Sequence, residues 1–169
     1  MKKIGWGILG AARVNERLMP AIVQSDLGEL IAIGSRRAGA SRECLLKHLP
    51  RYEDKVSCFD GFDQVINHKK VDVIYIPLAN EEHTEVALKA LRAKKDVLIE
   101  KPMAIKSEEV KILIKEATKN NVKIMEGFMY AFHPQFDRII SIIKSNTLGD
   151  INYAHSMFSF PIQPARFYR

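Results

Sequence analysis

Short apolar runs alternate along this chain with stretches whose apolar residues recur every three or four positions, the pattern of strands joined by helices in a parallel sheet. Residues 4–9 read as the first strand. Val14, Leu18, Ala21 and Ile22 then share one helical face, and Leu30-Ile31-Ala32-Ile33 restores a buried strand, so that a first βαβ unit closes by Ser35. Residues 40–49 read as a helix, 55–58 as a short strand, and 61–67 as a short helix with Phe62, Val65 and Ile66 on one side. Residues 71–76 make the fourth strand. Asn80 is placed to cap the next helix, with Glu81, Glu82 and Glu85 in its first turns and Arg92, Lys94 and Lys95 at its end, matching the helix dipole. Residues 97–99 follow as a strand. Ser107 is expected to cap a helix carrying Val110, Leu113, Ile114 and Ala117 on one stripe, Asn120-Asn121 ends it, and residues 122–125 complete the sheet.

The expected fold is therefore α/β, a doubly wound parallel sheet over residues 1–126, with a boundary near Gly127. Beyond it, Phe136, Ile139, Ile140 and Ile143 predict one more helix, and residues 150–160 the first strand of a second α/β domain that 127–169 only begins.

Composition narrows the function classes. The chain has 169 residues, 47% hydrophobic and 27% charged, enough for one full core and a remainder. A net charge of +6 is spread among acidic neighbours, as in Glu108-Glu109-Val110-Lys111, which argues against a nucleic-acid footprint and suits a phosphorylated cofactor better. Cys44 and Cys58 have neither metal-site spacing nor a disulfide framework, so no metal is expected. No apolar run approaches membrane-spanning length and Met1-Lys2-Lys3 leads straight into a strand, so a cytoplasmic protein without a membrane partner is expected.

The candidate chemistry sits at strand ends. After the first strand, Gly10-Ala11-Ala12-Arg13 supplies small residues where backbone amides at a helix start can approach a pyrophosphate. Against the GxGxxG pattern the glycine positions hold Gly10, Ala12 and Asn15, so the turn alone reads equally as a structural bend; its place between strand and helix favours the cofactor. After the second strand stand Ser35, Arg36 and Arg37 with no carboxylate in the turn, either a solvated loop or a seat for a 2′-phosphate, which favours NADP over NAD. Pro77, Leu78, Asn80 and His83 follow the fourth strand on the same edge, where His83 is either structural or beside the cofactor. Glu100-Lys101-Pro102 follows the fifth. A lysine held in a cleft can orient a substrate hydroxyl, although a charged pair at a strand end is ordinary by itself.

Together, Trp6-Gly7-Ile8-Leu9-Gly10-Ala11-Ala12-Arg13, Tyr75-Ile76-Pro77-Leu78-Ala79-Asn80 with His83, Val97-Leu98-Ile99-Glu100-Lys101-Pro102, and Met125-Glu126-Gly127-Phe128-Met129-Tyr130 with Phe132-His133-Pro134 resemble the glucose-fructose oxidoreductase/inositol dehydrogenase (Gfo/Idh/MocA) family, nearest its dihydrodiol and D-xylose dehydrogenase-like branch. The resemblance covers essentially the whole chain. It implies a Rossmann domain followed by an α/β domain whose open antiparallel sheet often mediates oligomerisation, so a complete second domain would imply a homo-oligomer. It implies NADP-dependent hydride transfer with a sugar or cyclic diol as the small-molecule partner. Lys101 corresponds to the family's catalytic or substrate-orienting lysine, with Glu100 and Pro102 as its setting, often with a cis bond before the proline; Ser35, Arg36 and Arg37 match the NADP-selecting turn. The family's downstream proton-transfer residue has no counterpart, and Tyr130 and His133 are read as packing or crevice-lining groups. The expectation is a truncated cofactor-binding fragment with little turnover, the alternative a non-catalytic module or an inactive remnant.

Overall fold

The computed structural model describes residues 2–161. Six strands, β1 (Ile4–Leu9), β2 (Gly28–Gly34), β3 (Ser57–Phe59), β4 (Val73–Ile76), β5 (Asp96–Ile99) and β6 (Ile124–Glu126), form one sheet in the order β3-β2-β1-β4-β5-β6. Every pairing is parallel. The helices between them are α1 (Asn15–Gln24), α2 (Ala40–His48), α3 (Asp63–Ile66), α4 (His83–Arg92) and α5 (Ser107–Asn120). Strand order reverses between β1 and β4, which opens a crevice at their carboxyl ends, the place where ligands bind in such sheets.

Residues alternate between two buried layers because successive strand side chains point to opposite faces. Ile8, Ile33 and Tyr75 join Met19 and Ile22 of α1 and Cys44 and Leu45 of α2 on one face. Leu9, Ile74, Ile76 and Ile99 join Val65, Val86, Leu91 and Leu113 on the other. Both layers are dry enough to fix the sheet: Ile8, Leu9, Ile33, Ile74, Ile76 and Ile99 expose nothing to solvent. At roughly 1.5–3 kcal/mol for each such side chain, this burial is the main force holding the strand ends in register.

Several local expectations shift. The buried stripe of α1 is Asn15, Met19 and Ile22, at i, i+4 and i+7, and Ala21 falls on the solvent side. In α5 the buried stripe narrows to Leu113 and Ala117, while Ile114 is exposed. Asn80 caps no helix with its side chain; it opens a 3-10 turn, Asn80–Glu82, from which α4 continues. Ser107 lies inside α5 rather than at its cap, and its hydroxyl donates to Glu108; the preceding Lys106 amide donates to the Glu109 carboxylate at 3.0 Å. Asn121 ends the helix in the left-handed conformation, as expected of Asn at that place.

The chain divides into two compact units, one up to Gly127 and one from Phe128 onward. In the second, a 3-10 turn (Met129–Phe132) leads into α6 (Pro134–Lys144), whose first turn is capped by His133 Nδ1 accepting from the Gln135 amide at 3.1 Å. Tyr130 packs edge-on between Phe128 and Phe136. The strand expected over residues 150–160 does not form: that stretch has no ladder partner and is exposed, without regular secondary structure. Residues 162–169 lie outside the described part.

Candidate functional site

Because all six strands are parallel, the turns after β1, β2, β4 and β5 emerge at one edge of the sheet, with the turn after β1 at its centre. Neighbouring strands are about 4.8 Å apart, so Gly10 and Lys101 leave the sheet about 10 Å apart and Ser35 and Lys101 about 14 Å.

Gly10 adopts φ +119°, a conformation open to glycine, and a Cβ there would stand 2.8 Å from Leu78 Cδ2. The turn after β1 thus packs directly against the Pro77-Leu78 turn after β4. Gly10 donates its amide to the Gly34 carbonyl at 2.7 Å, which ties the same turn to the end of β2. Its own carbonyl accepts from the Asn15 side-chain amide at 2.8 Å, and Asn15 is wholly buried. The residue that departs from glycine at the third fingerprint position is therefore a tether that holds the loop shut from below. The sequence shows the departure from glycine but not the role; its one signal is a polar residue on the apolar stripe of α1. The amides of Ala11, Ala12 and Arg13 donate to no acceptor among the described residues, which leaves them free for a ligand. Those donors, the short side chains of Ala11 and Ala12, and the space that a Cβ on residue 10 would fill all fit a pyrophosphate.

After β2, Ser35 is buried, its amide donates to the Phe59 carbonyl at 3.0 Å, and its hydroxyl accepts from the Arg37 amide at 3.3 Å. The two arginines diverge. Arg37 forms a fork with Glu43 of α2, which raises the Arg37 pKa and lowers that of Glu43 through the hydrogen bond and charge between them. Arg36 lies over the Phe62 ring, 5.4 Å from its centroid, and forms an ion pair with Glu82. The turn itself lacks a carboxylate, as the sequence shows, but the fold brings one to each arginine from elsewhere.

On the far side, Pro77 is buried, Leu78 half-buried and Asn80 exposed. His83 is fully buried, with Nδ1 2.8 Å from the Pro102 carbonyl and Nε2 3.2 Å from the Leu78 carbonyl. It therefore has no face open to a ligand and bridges the two turns instead. Glu100 accepts from the Tyr75 hydroxyl at 2.7 Å, and Tyr75 is almost wholly buried; burial first, then that hydrogen bond and the carboxylate charge, raise the phenol pKa. Lys101 is exposed and precedes a cis Pro102. Met103 donates its amide to Glu126 at the end of β6, at 2.7 Å, which fixes the exit of the turn. The edge thus holds open amides in the middle, a guanidinium at one end and an ammonium at the other. Among the described residues, no cluster of His, Cys, Asp and Glu could hold a metal ion, and no helix is long and apolar enough to cross a membrane. Tyr130 and His133 belong to the second unit, both exposed.

The chain is similar to known proteins in sequence and fold. The model of the GFO_IDH_MocA family, described as an oxidoreductase family with a NAD-binding Rossmann fold, matches residues 4–128. An uncharacterized oxidoreductase, ORF334, of Rhizobium meliloti is 30% identical over 94% of this chain and 46% of its own length. The trans-1,2-dihydrobenzene-1,2-diol dehydrogenase of Xenopus laevis is 26% identical over 93% of this chain and 47% of its own. Among solved structures, a 3-ketoreductase from Actinomadura kijaniata in complex with TDP-benzene and NADP superposes with a TM-score of 0.80 at 28% identity, over 89% of this chain and 45% of that one. The chain spans about half the length of the curated relatives it matches.

Proposed function

The chain belongs to the Gfo/Idh/MocA oxidoreductase family, and we propose that it binds NADP across the carboxyl edge of its sheet, as the cofactor-holding part of an enzyme that transfers hydride between the nicotinamide and a carbinol carbon of a sugar or cyclic diol. The observation that carries this reading is the order of groups along one edge: Arg36 after β2, the open amides after β1, and Lys101 after β5. The 3-ketoreductase that superposes on the chain holds NADP, and relatives act on a diol or on a dTDP-sugar.

In this reading residues 1–126 form the dinucleotide domain and 127–169 begin the substrate domain. The amides of Ala11, Ala12 and Arg13 take the pyrophosphate at the positive end of α1. Arg36, in the turn shaped by Ser35 and Arg37, takes the 2′-phosphate. Pro77 and Leu78 wall the crevice, Asn80 stands at its rim, and His83 braces Leu78 from behind. When bound, the nicotinamide supplies the hydride chemistry. Lys101, with Glu100 beside it, donates to the substrate hydroxyl and fixes the carbinol carbon for transfer. No residue in the chain is assigned as the base that removes the hydroxyl proton, so these 169 residues alone are expected to bind cofactor with little turnover. The two free thiols suit a cytoplasmic setting, and a homo-oligomer is proposed for the protein with a complete second domain.

A second reading, a non-catalytic NADP-binding module that works with a partner, draws support from Phe132, Leu148, Tyr153, Met157 and Phe158, each more than 60% exposed. Calorimetric titration with NADP and NAD tests the shared premise: tighter NADP binding is expected, and no binding of either at millimolar concentration rejects it. Size-exclusion chromatography divides the second reading: a stable NADP-binding monomer favours the module, aggregation an inactive remnant. Robust sugar or diol oxidation by these 169 residues would overturn the expectation of little turnover.

A further inference from the structure

Arg36 does not wait free in solvent. Its guanidinium lies over the Phe62 ring and is ion-paired with Glu82, which comes from the 3-10 turn leading into α4, 46 positions along the chain. Phe62 is half-buried and packed on the core, so it offers the guanidinium an anchored ring face. Glu82 is the more enclosed partner, with about a fifth of its side chain exposed against about two thirds for Arg36, and its Oε1 is shielded from water. The carboxylate is therefore placed beside the guanidinium at this end of the site, more enclosed than an ordinary surface charge.

We propose that Glu82 is a cofactor-selecting residue that competes with the 2′-phosphate for Arg36. This rests on the reading of Arg36 given above. A guanidinium has five donors in one rigid fork, and a phosphate that engages it beside Glu82 must share those donors and lie close to a second anion. The ribose of NAD carries a neutral hydroxyl at that place. It meets no repulsion and can donate to the carboxylate. Glu82 thereby lowers the preference for NADP that Arg36 creates and leaves room for NAD. In the sequence Glu82 reads only as a first-turn acid matching the helix dipole, because nothing local connects it to residue 36; the connection arises from β2 and β4 flanking β1.

Glu82→Gln keeps the shape and removes the charge. By calorimetry it is expected to tighten NADP by roughly three- to tenfold, the range for a partly exposed charge pair, without tightening NAD. In an Arg36→Ala background the same change is expected to have a smaller effect on NADP, because the competition for the guanidinium is gone and only the repulsion between carboxylate and phosphate remains. Adenosine 2′,5′-bisphosphate against 5′-AMP repeats the comparison with the 2′-phosphate as the sole difference. Far-UV circular dichroism verifies folding, and Glu82→Ala provides a second neutral variant. Unchanged or weakened NADP binding in both neutral variants, or an equal gain for NADP and NAD, overturns the proposal. If the unsubstituted chain binds NADP normally, that result leaves the cofactor reading standing; if it binds neither dinucleotide, the cofactor reading falls and this inference with it.

Discussion

His83 holds its Nδ1 2.8 Å from the carbonyl of Pro102, and through its other nitrogen, 3.2 Å from the carbonyl of Leu78, it joins the turn after β4 to the turn that carries Lys101. A neutral imidazole donates one hydrogen bond, so the two carbonyls share a single ring donor. The ring is wholly buried.

Replacing His83 by alanine removes the donor and leaves a cavity between two turns. The expected loss is about 2–4 kcal/mol, a buried unsatisfied carbonyl plus the void. Glutamine, which keeps a donor and part of the volume, should recover a part of it. Urea unfolding of the two variants checks this; equal stability of His83→Ala and the unsubstituted chain rejects the brace.

Asn15 makes a second prediction with an internal control. Its Nδ2 donates to Gly10 and contacts Cys44 Sγ at 3.4 Å, while its Oδ1 is buried without a partner. Asn15→Ala removes both the tether and the unpaired oxygen, so the loss should be modest, about 1 kcal/mol. Asn15→Asp keeps the shape but sets a carboxylate against the Gly10 carbonyl in a dry layer, and should cost several times more, on the order of 3–5 kcal/mol. Denaturation midpoints at neutral pH decide it, and an aspartate variant as stable as the alanine one refutes the tether.

These two residues also show what could be read from the chain and what could not. The alternation of apolar runs was enough for the six strands and their intervening helices, because burial on both faces leaves a period that no local feature disguises. The Gly10 turn and the Lys101-Pro102 turn were legible for the same reason, each at the end of an apolar run. Edges were less so. Ala21 was placed inward because its hydropathy fits, whereas Met19 sits at the i+4 position from Asn15 and fills the layer. Residues 150–160 carry a strand-like composition but no ladder partner, and strand propensity without pairing makes no strand. Pairs such as Arg36 with Glu82 or Tyr75 with Glu100 link distant positions through strand adjacency, which a single sequence does not display.

Tyr75 and Glu100 give the last prediction, in which the sign of the pH dependence is the test. At neutral pH Tyr75→Phe leaves the Glu100 carboxylate without its 2.7 Å donor, and the expected cost is about 1–3 kcal/mol. Burial and the adjacent carboxylate raise the phenol above its usual value of 10.0. In the folded chain Tyr75 therefore keeps its proton at pH values where the unfolded chain has begun to lose it. The unfolded state gains from that release, so the contribution of Tyr75 is complete below about pH 10 and falls as the pH rises toward the folded value. Phenylalanine has no proton to lose, so the stability gap between the two proteins should narrow above about pH 10 and stay constant below it. Urea midpoints of both, measured through that range, remove the titration of lysines and other tyrosines by difference. A gap that widens with alkalinity, or one absent at neutral pH, would mean that the Tyr75 hydroxyl does not anchor Glu100 beside Lys101.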